Sequence, residues 1–184
     1  MNIAHSAAIP VVETERVILR GHRLDDFDAH AAMWADPVVT RFLGGKPFTR
    51  EESWARYLRY AGLWNVLGFG FWAVEDKATR SLIGSAGFHE LRRDIEPSLE
   101  GTPEAGWGLA SSSHGKGIAT EVVLAMHRWG DAFFGGSKTV CIIDPKNVAS
   151  RRVAEKCGYR EVLETTYRGE STILFERLAG AAAG

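Results

Sequence analysis

The segment Ser113-His114-Gly115-Lys116-Gly117-Ile118-Ala119-Thr120 carries the residue types best suited to binding chemistry in this chain. Glycines at such a turn let consecutive backbone N–H groups face one point. A helix starting there adds unpaired donors and a positive end, which suits a phosphate or pyrophosphate. Two familiar phosphate loops fail against it. The GxxxxGK[ST] loop would need a glycine at Ala110 and Ser or Thr at Gly117. The GxGxxG fingerprint fits Gly115 and Gly117 but meets Thr120 at its third glycine. Taken alone, the segment reads equally well as a loop that merely turns the chain.

A second segment follows after one helix and one strand: Asn147-Val148-Ala149-Ser150, then Glu155-Lys156-Cys157-Gly158-Tyr159. The ordered pair resembles the GNAT superfamily of N-acetyltransferases. HGKGIATE is similar to that family's acetyl-CoA pyrophosphate motif, [RQ]xxGxG/A. N-x-x-S with EKxGY is similar to the branch typified by ribosomal-protein alanine N-acetyltransferases, as are T-E-R-V-I-L-R and E-A-G-W-G-L. The match runs from Glu13 to Leu178.

The resemblance implies a mixed central sheet, splayed at its middle, with acetyl-CoA wedged in the cleft. It implies backbone groups of Leu109, Ala110 and Ser111 on the pantetheine arm. It implies the pyrophosphate on Ser112, Gly115, Lys116, Gly117, Ala119 and Thr120, and Asn147 on the cofactor arm. Ser112 departs from the motif, standing where Arg or Gln is usual. Many relatives carry a proton-donating tyrosine seven residues after the asparagine; here that position is Ala154. Ser150 is the nearest hydroxyl and the candidate donor to the departing thiolate, though a first-turn serine also serves its own helix. Homodimerisation accords with the resemblance, but no residue pattern specifies it.

Acetyl transfer needs a neutral amine, a polarised thioester carbonyl and a protonated leaving thiol. Neutralising an α-amine near pH 7 costs about 1.4 kcal/mol, and a lysine about 4.6 kcal/mol. A modest base or a water chain serves the first. Glu104, opening the strand that leads into the loop, is the candidate base; a surface strand glutamate is the competing reading. His89 and Glu90 are second choices. His114 reads as loop packing.

The elements that must position these residues follow from hydrophobic spacing. Residues 1–12 read as a loose arm, 13–178 as one domain and 179–184 as a disordered tail. Val17-Ile18-Leu19 is a strand and Asp25 to Ala35 a helix stopped by Pro37. Thr49-Arg50-Glu51-Glu52 is a capping box for a helix through Leu67, with Trp54, Leu58, Ala61 and Asn65 on its buried side. Residues 70–75 and 82–88 read as a hairpin, Arg92 to Thr102 as a solvated loop, and Glu104 to Ala110 as a strand in which Gly106 and Gly108 weaken pairing or permit a bulge. The strongest helix starts after Gly117, with Val122, Met126, Trp129 and Phe133 as its stripe and Gly135-Gly136 as its stop. Val140 to Ile143 is a buried strand, and Asn147 caps a helix through Cys157. Two strands, 161–163 and 172–175, close the chain. This mixture predicts an α/β mixed sheet covered by helices.

Composition narrows the function. The chain has 184 residues and a net charge of −1, which disfavours a nucleic-acid partner held by a basic field. No apolar run approaches the roughly 20 residues of a membrane span. The two cysteines, Cys141 and Cys157, form no CxxC pair, and the six histidines show no ligand spacing, so neither a disulfide framework nor a metal is expected. The expected protein is cytoplasmic, with acetyl-CoA and an amine (a peptide N-terminus or a small molecule) as its partners. Trp64, Trp72 and Trp107 are candidate walls for that amine. A non-catalytic acyl-CoA-binding regulatory module and a nucleotide-binding domain are the competing functions.

Overall fold

The computed structural model describes residues 8–180. Eight strands form one sheet: β1 (Val12–Glu13), β2 (Val17–Arg20), β3 (Phe71–Asp76), β4 (Leu82–His89), β5 (Glu104–Leu109), β6 (Thr139–Ile143), β7 (Arg160–Tyr167) and β8 (Glu170–Arg177). Their order across the sheet is β1-β2-β3-β4-β5-β6-β8-β7. Every neighbouring pair is antiparallel except β5 and β6, which are parallel and meet only at Glu104 and Val140. Beyond that rung the two strands part, as the expected splay requires.

Five helices pack on this sheet: α1 (Phe27–Trp34), α2 (Pro37–Thr40), α3 (Arg50–Leu67), α4 (Ile118–Phe133) and α5 (Val148–Lys156). The main core joins Val17, Leu19, Trp72, Val74 and Phe88 of the sheet to Val122, Val123 and Met126 of α4. Arg20 clamps this side: it forks onto Asp26 at 2.7 Å through two nitrogens and reaches Glu75 at 2.5 Å, all three buried.

Several expectations need correction. Thr49 does close a capping box with Glu52, but α3 is turned by one residue. Ser53, Tyr57, Tyr60 and Trp64 face inward, while Trp54, Leu58, Ala61 and Asn65 are exposed. One residue is about 100° of helix. Polar tips decide it: the Tyr57 hydroxyl donates to Arg23 O, and Trp64 Nε1 donates to Phe71 O at 2.9 Å. Pro37 opens a short helix as well as following α1, because the Asp36 carboxylate caps it through Val38 N. The segment 92–102 is irregular but not simply solvated, since Ile95 and Leu99 are buried against Val140 and Leu174. Phe133 is 49% exposed, outside the buried stripe of α4.

Gly106 and Gly108 produce no bulge. They pair in unbroken register with Gly87 and Ser85 of β4. Gly106 instead makes room, since a Cβ there would meet the Phe71 ring at 2.8 Å. Of the arm, residues 1–7 lie outside the described residues, as do 181–184 of the tail. Residues 9–12 are seated: Trp72 Nε1 donates to Pro10 O at 2.8 Å, and Ile9 and Val12 pack on the core.

Three buried histidines are held neutral by desolvation. Burial pushes His30 and His127 down to about 3, helped by His22 and Arg56 for the first and Arg177 for the second. Burial pushes His89 down to about 4, against the pull of Glu104. The unfolded chain therefore binds more protons than the native one between pH 6.5 and these values. Stability is full above pH 6.5 and falls as pH drops, by up to about 1.4 kcal/mol per pH unit for each histidine. Urea midpoints measured from pH 7 to 4 are expected to decline steadily, and His127→Leu to flatten that decline.

Candidate functional site

The loop after β5 leaves a run of backbone donors without acceptors, an arrangement that could hold an anion. A 3-10 turn at Ser111–Ser113 is closed by Ser113 N donating to Ala110 O at 2.8 Å and His114 N donating to Ser111 O at 3.1 Å. His114 Nε2 lies 2.9 Å from Leu109 O, the packing role expected of it. Gly115 and Gly117 then take φ of 72° and 74°, a left-handed backbone that side-chain-bearing residues rarely adopt. The first intrahelical bond of α4 is Glu121 N to Gly117 O, at 3.2 Å. Among the described residues no acceptor takes the N–H of Gly115, Lys116, Gly117, Ala119 or Thr120. These donors stand at the positive end of a sixteen-residue helix.

Two contacts made across long stretches of sequence hold the loop. Arg16 Nη1 donates to Lys116 O at 2.7 Å, and its Nε donates to Glu121 Oε2 at 2.6 Å. Glu121 Oε1 accepts from Thr14 Oγ1 at 2.6 Å and from Arg16 N at 2.9 Å. Burial works against the Glu121 charge, but these hydrogen bonds hold its carboxyl below the usual range. On the other flank, Ser111 Oγ donates to Asp36 Oδ2 at 2.6 Å. Sequence reasoning missed Arg16, Glu121 and Asp36. They act about 75 to 105 residues away in sequence, so no local spacing could reveal them.

Below the loop, the parting of β5 and β6 opens a cleft of about 840 Å³. Ala110 N donates to Ile83 O on β4. Alternation along an antiparallel ladder therefore turns the N–H groups of Leu109 and Trp107 the other way, toward the parted β6 edge. Across the gap stand Cys141 to Asp144, Asn147 and Ser150. Asn147 Oδ1 caps α5 through Ser150 N at 3.1 Å. Its side-chain NH2 and the Ser150 hydroxyl have no partner among the described residues. Ala154 is fully buried and off the cleft.

Glu104 lies on the cleft wall, 5% exposed, at the last rung of the β5–β6 pairing. It is no surface residue: Arg93 forks onto both its oxygens at 2.6 and 2.8 Å. His89 Nε2 is 3.5 Å from Glu104 Oε1, and His89 Nδ1 is buried without a partner. Glu90 is off the cleft, accepting from Gly101 N. Of the three tryptophans, Trp107 lines the cleft, whereas Trp64 and Trp72 belong to the core. Glu104, Asn147 and Ser150 are thus gathered round one cavity. None of residues 109–120 lines that cavity: Ser112, Gly115, Lys116 and Gly117 are exposed, Ala119 and Thr120 are half-buried, and Gly117 and Thr120 line a separate, more open pocket with Glu121 and Arg128.

Comparison with known proteins agrees with this geometry. A family model described as an acetyltransferase (GNAT) domain matches residues 16–160. An uncharacterized N-acetyltransferase of Bacillus subtilis, YoaA, is 28% identical over 153 residues, 83% of this chain and 84% of its own. A putative GNAT-family acetyltransferase from Bordetella pertussis superposes with a TM-score of 0.80 at 30% identity, covering 91% of this chain and 99% of that one. A spermidine N-acetyltransferase from Vibrio cholerae, solved with CoA and spermine, shares the fold at a TM-score of 0.71 and 16% identity, over 91% of this chain and 98% of that one.

The Arg16–Glu121 latch predicts a measurable effect on the loop. Glu121→Ala removes its carboxylate anchor, and one charge-assisted hydrogen bond is worth about 1.5 kcal/mol, or about tenfold in affinity. The Kd for CoA by calorimetry is expected to rise by about that factor.

Proposed function

The chain belongs to the GNAT acetyltransferase family, and from that membership we propose that it acetylates a primary amine by direct attack within a ternary complex. It is an acetyl-CoA-dependent N-acetyltransferase; the amine and the residue roles are the proposal. The single observation that carries those roles is the parted β5–β6 edge, with unspent donors along one side and an ionisable wall at its closed end. A non-catalytic acyl-CoA-binding module is not favoured by the family. The N-x-x-S and EKxGY segments support the branch typified by ribosomal-protein alanine N-acetyltransferases, but fold and cofactor site are shared by many acceptors.

Acetyl-CoA, when bound, supplies an acetyl group activated as a thioester. The open N–H groups of Gly115, Lys116, Gly117, Ala119 and Thr120 would hold its pyrophosphate, with the Ser112 hydroxyl beside them. The edge from Leu109 through Ala110 to Ser111 would hold the pantetheine arm, faced by the Asn147 side-chain NH2. The Leu109 N–H, turned off the β4 ladder, is the donor that polarises the acyl oxygen.

Glu104 takes the proton of the attacking amine at a carboxylate oxygen, directly or through one water. Arg93 uses one lone pair on each oxygen and fixes their direction, which leaves each a further acceptor site. His89 stays neutral beside it. The Ser150 hydroxyl would pass a proton to the leaving thiolate while taking one back from cleft water, and the proton collected by Glu104 returns to that water, so both groups end as they began. The buried free thiols Cys141 and Cys157 suit a reducing compartment, and the cytoplasm is the proposed place of work.

Thermal shift and thiol release test the reading in turn. CoA is expected to raise the melting midpoint where ATP and NAD do not, and acetyl-CoA to release thiol with members of an amine panel. Glu104→Gln is expected to lower kcat by about a hundredfold, with the largest loss at low pH. An unchanged pH–rate profile would remove Glu104 from the chemistry. Ser150→Ala is expected to lower kcat with little change in the KM for acetyl-CoA.

A further inference from the structure

We propose that the acceptor amine also carries an oxyanion, a carboxylate or a phosphate, and that Arg56 receives it. The inference rests on the acetyltransferase reading and names the substrate class of that same cleft. Six basic side chains line the cavity: Arg41, Lys46, Arg56, Arg59, Arg93 and Arg168. Four acidic ones face them: Glu52, Glu104, Asp144 and Glu170. Two pairs cancel, Lys46 with Glu52 at 3.3 Å and Arg93 with Glu104 at 2.6 Å. Asp144 is engaged in its own turn, accepting from Lys146 N at 2.7 Å, and Glu170 is exposed at the β7–β8 turn beside Arg168. Among the described residues Arg41, Arg56, Arg59 and Arg168 have no carboxylate partner, so positive charge is left over.

Arg41 and Arg168 each lie over a single neighbouring ring, Phe42 at 5.1 Å and Tyr167 at 5.3 Å, whereas Arg56 is held more closely and by two rings. Its guanidinium lies over the Trp34 ring at 4.0 Å and the Phe48 ring at 4.8 Å, and those two rings stack on each other at 5.2 Å. Nη1 reaches the Tyr60 hydroxyl at 3.4 Å. Nε is buried with no acceptor. A cation fixed on aromatic faces and left without an anion is already arranged for a planar oxyanion, because little side-chain entropy remains to be lost. Arg59 stands one turn along α3. Desolvation, then the guanidiniums of Arg56, Arg93 and Arg168, push it below its ordinary value. Its solvent-exposed area screens that effect, so only the sign matters: this wall of the cleft is crowded with positive charge. A polyamine would be repelled there, whereas an amine bearing an acid would have both ends matched, its nitrogen toward Glu104 and its acid toward Arg56. The apolar walls, Phe42, Phe71 and Trp107, suit a hydrophobic body between the two.

Binding to the CoA-loaded protein tests this without requiring turnover. The probes are N-acetylphenylalanine, its carboxamide and its phosphonate counterpart, measured by calorimetry, with N1-acetylspermidine as the cationic comparison. The carboxylate or the phosphonate is expected to bind at least about tenfold more tightly than the carboxamide, and the tighter of the two identifies the oxyacid. Arg56→Gln should shrink that preference below about threefold while leaving CoA affinity unchanged, which also reports that the variant is folded. Equal binding of acid and amide, or tighter binding of the acetylated polyamine, overturns the proposal. Failure of the wild-type protein to bind CoA is a distinct result, overturning the acetyltransferase reading beneath it.

Discussion

The fold turns on a hydrogen-bond ladder that stops after one rung. β5 and β6 run side by side but meet only at Glu104 and Val140. An interrupted ladder inside a sheet is costly, because each backbone N–H and C=O left in a dry place needs a partner. Here the open edge faces a cavity, and the cap of α5 stands across it. The proposed places of the cofactor arm, the acceptor and the Glu104 base all depend on that one interruption. Continuing the β5–β6 pairing would close the site without altering a single side chain.

The charges follow a simple division of labour. Main-chain amides without acceptors gather at the end of α4 where the protein is open to water. Inside the cleft, Glu104 is held by Arg93 while Arg56 stands on aromatic rings with no counter-charge. The deeper histidines are kept neutral chiefly by burial, with neighbouring positive groups adding to it. Elsewhere among the described residues the buried arginines are paired, Arg20 with Asp26 and Glu75 and Arg177 with Asp131.

Much of this was legible in the residue order. The glycine loop, the Thr49 capping box, the Asn147 cap and the hairpin are local signals, and local backbone chemistry fixes them. The face of α3 is not legible from spacing because Tyr57 and Trp64 look amphipathic yet go inward to satisfy their own polar tips. The 92–102 segment was misread because two apolar residues, Ile95 and Leu99, sit among charges and still find a core. Arg93 as the partner of Glu104, and Arg16 as the partner of the loop, could not be read at all. Both are tertiary pairings, and no periodicity encodes them.

The latch between the β1–β2 turn and the glycine loop ties the beginning of the domain to the start of α4. Thr14 and Arg16 hold Glu121 from more than a hundred residues away. A protease nick just ahead of residue 14, or a bulky affinity tag fused there, would therefore loosen the Gly115–Gly117 turn while both glycines stayed intact.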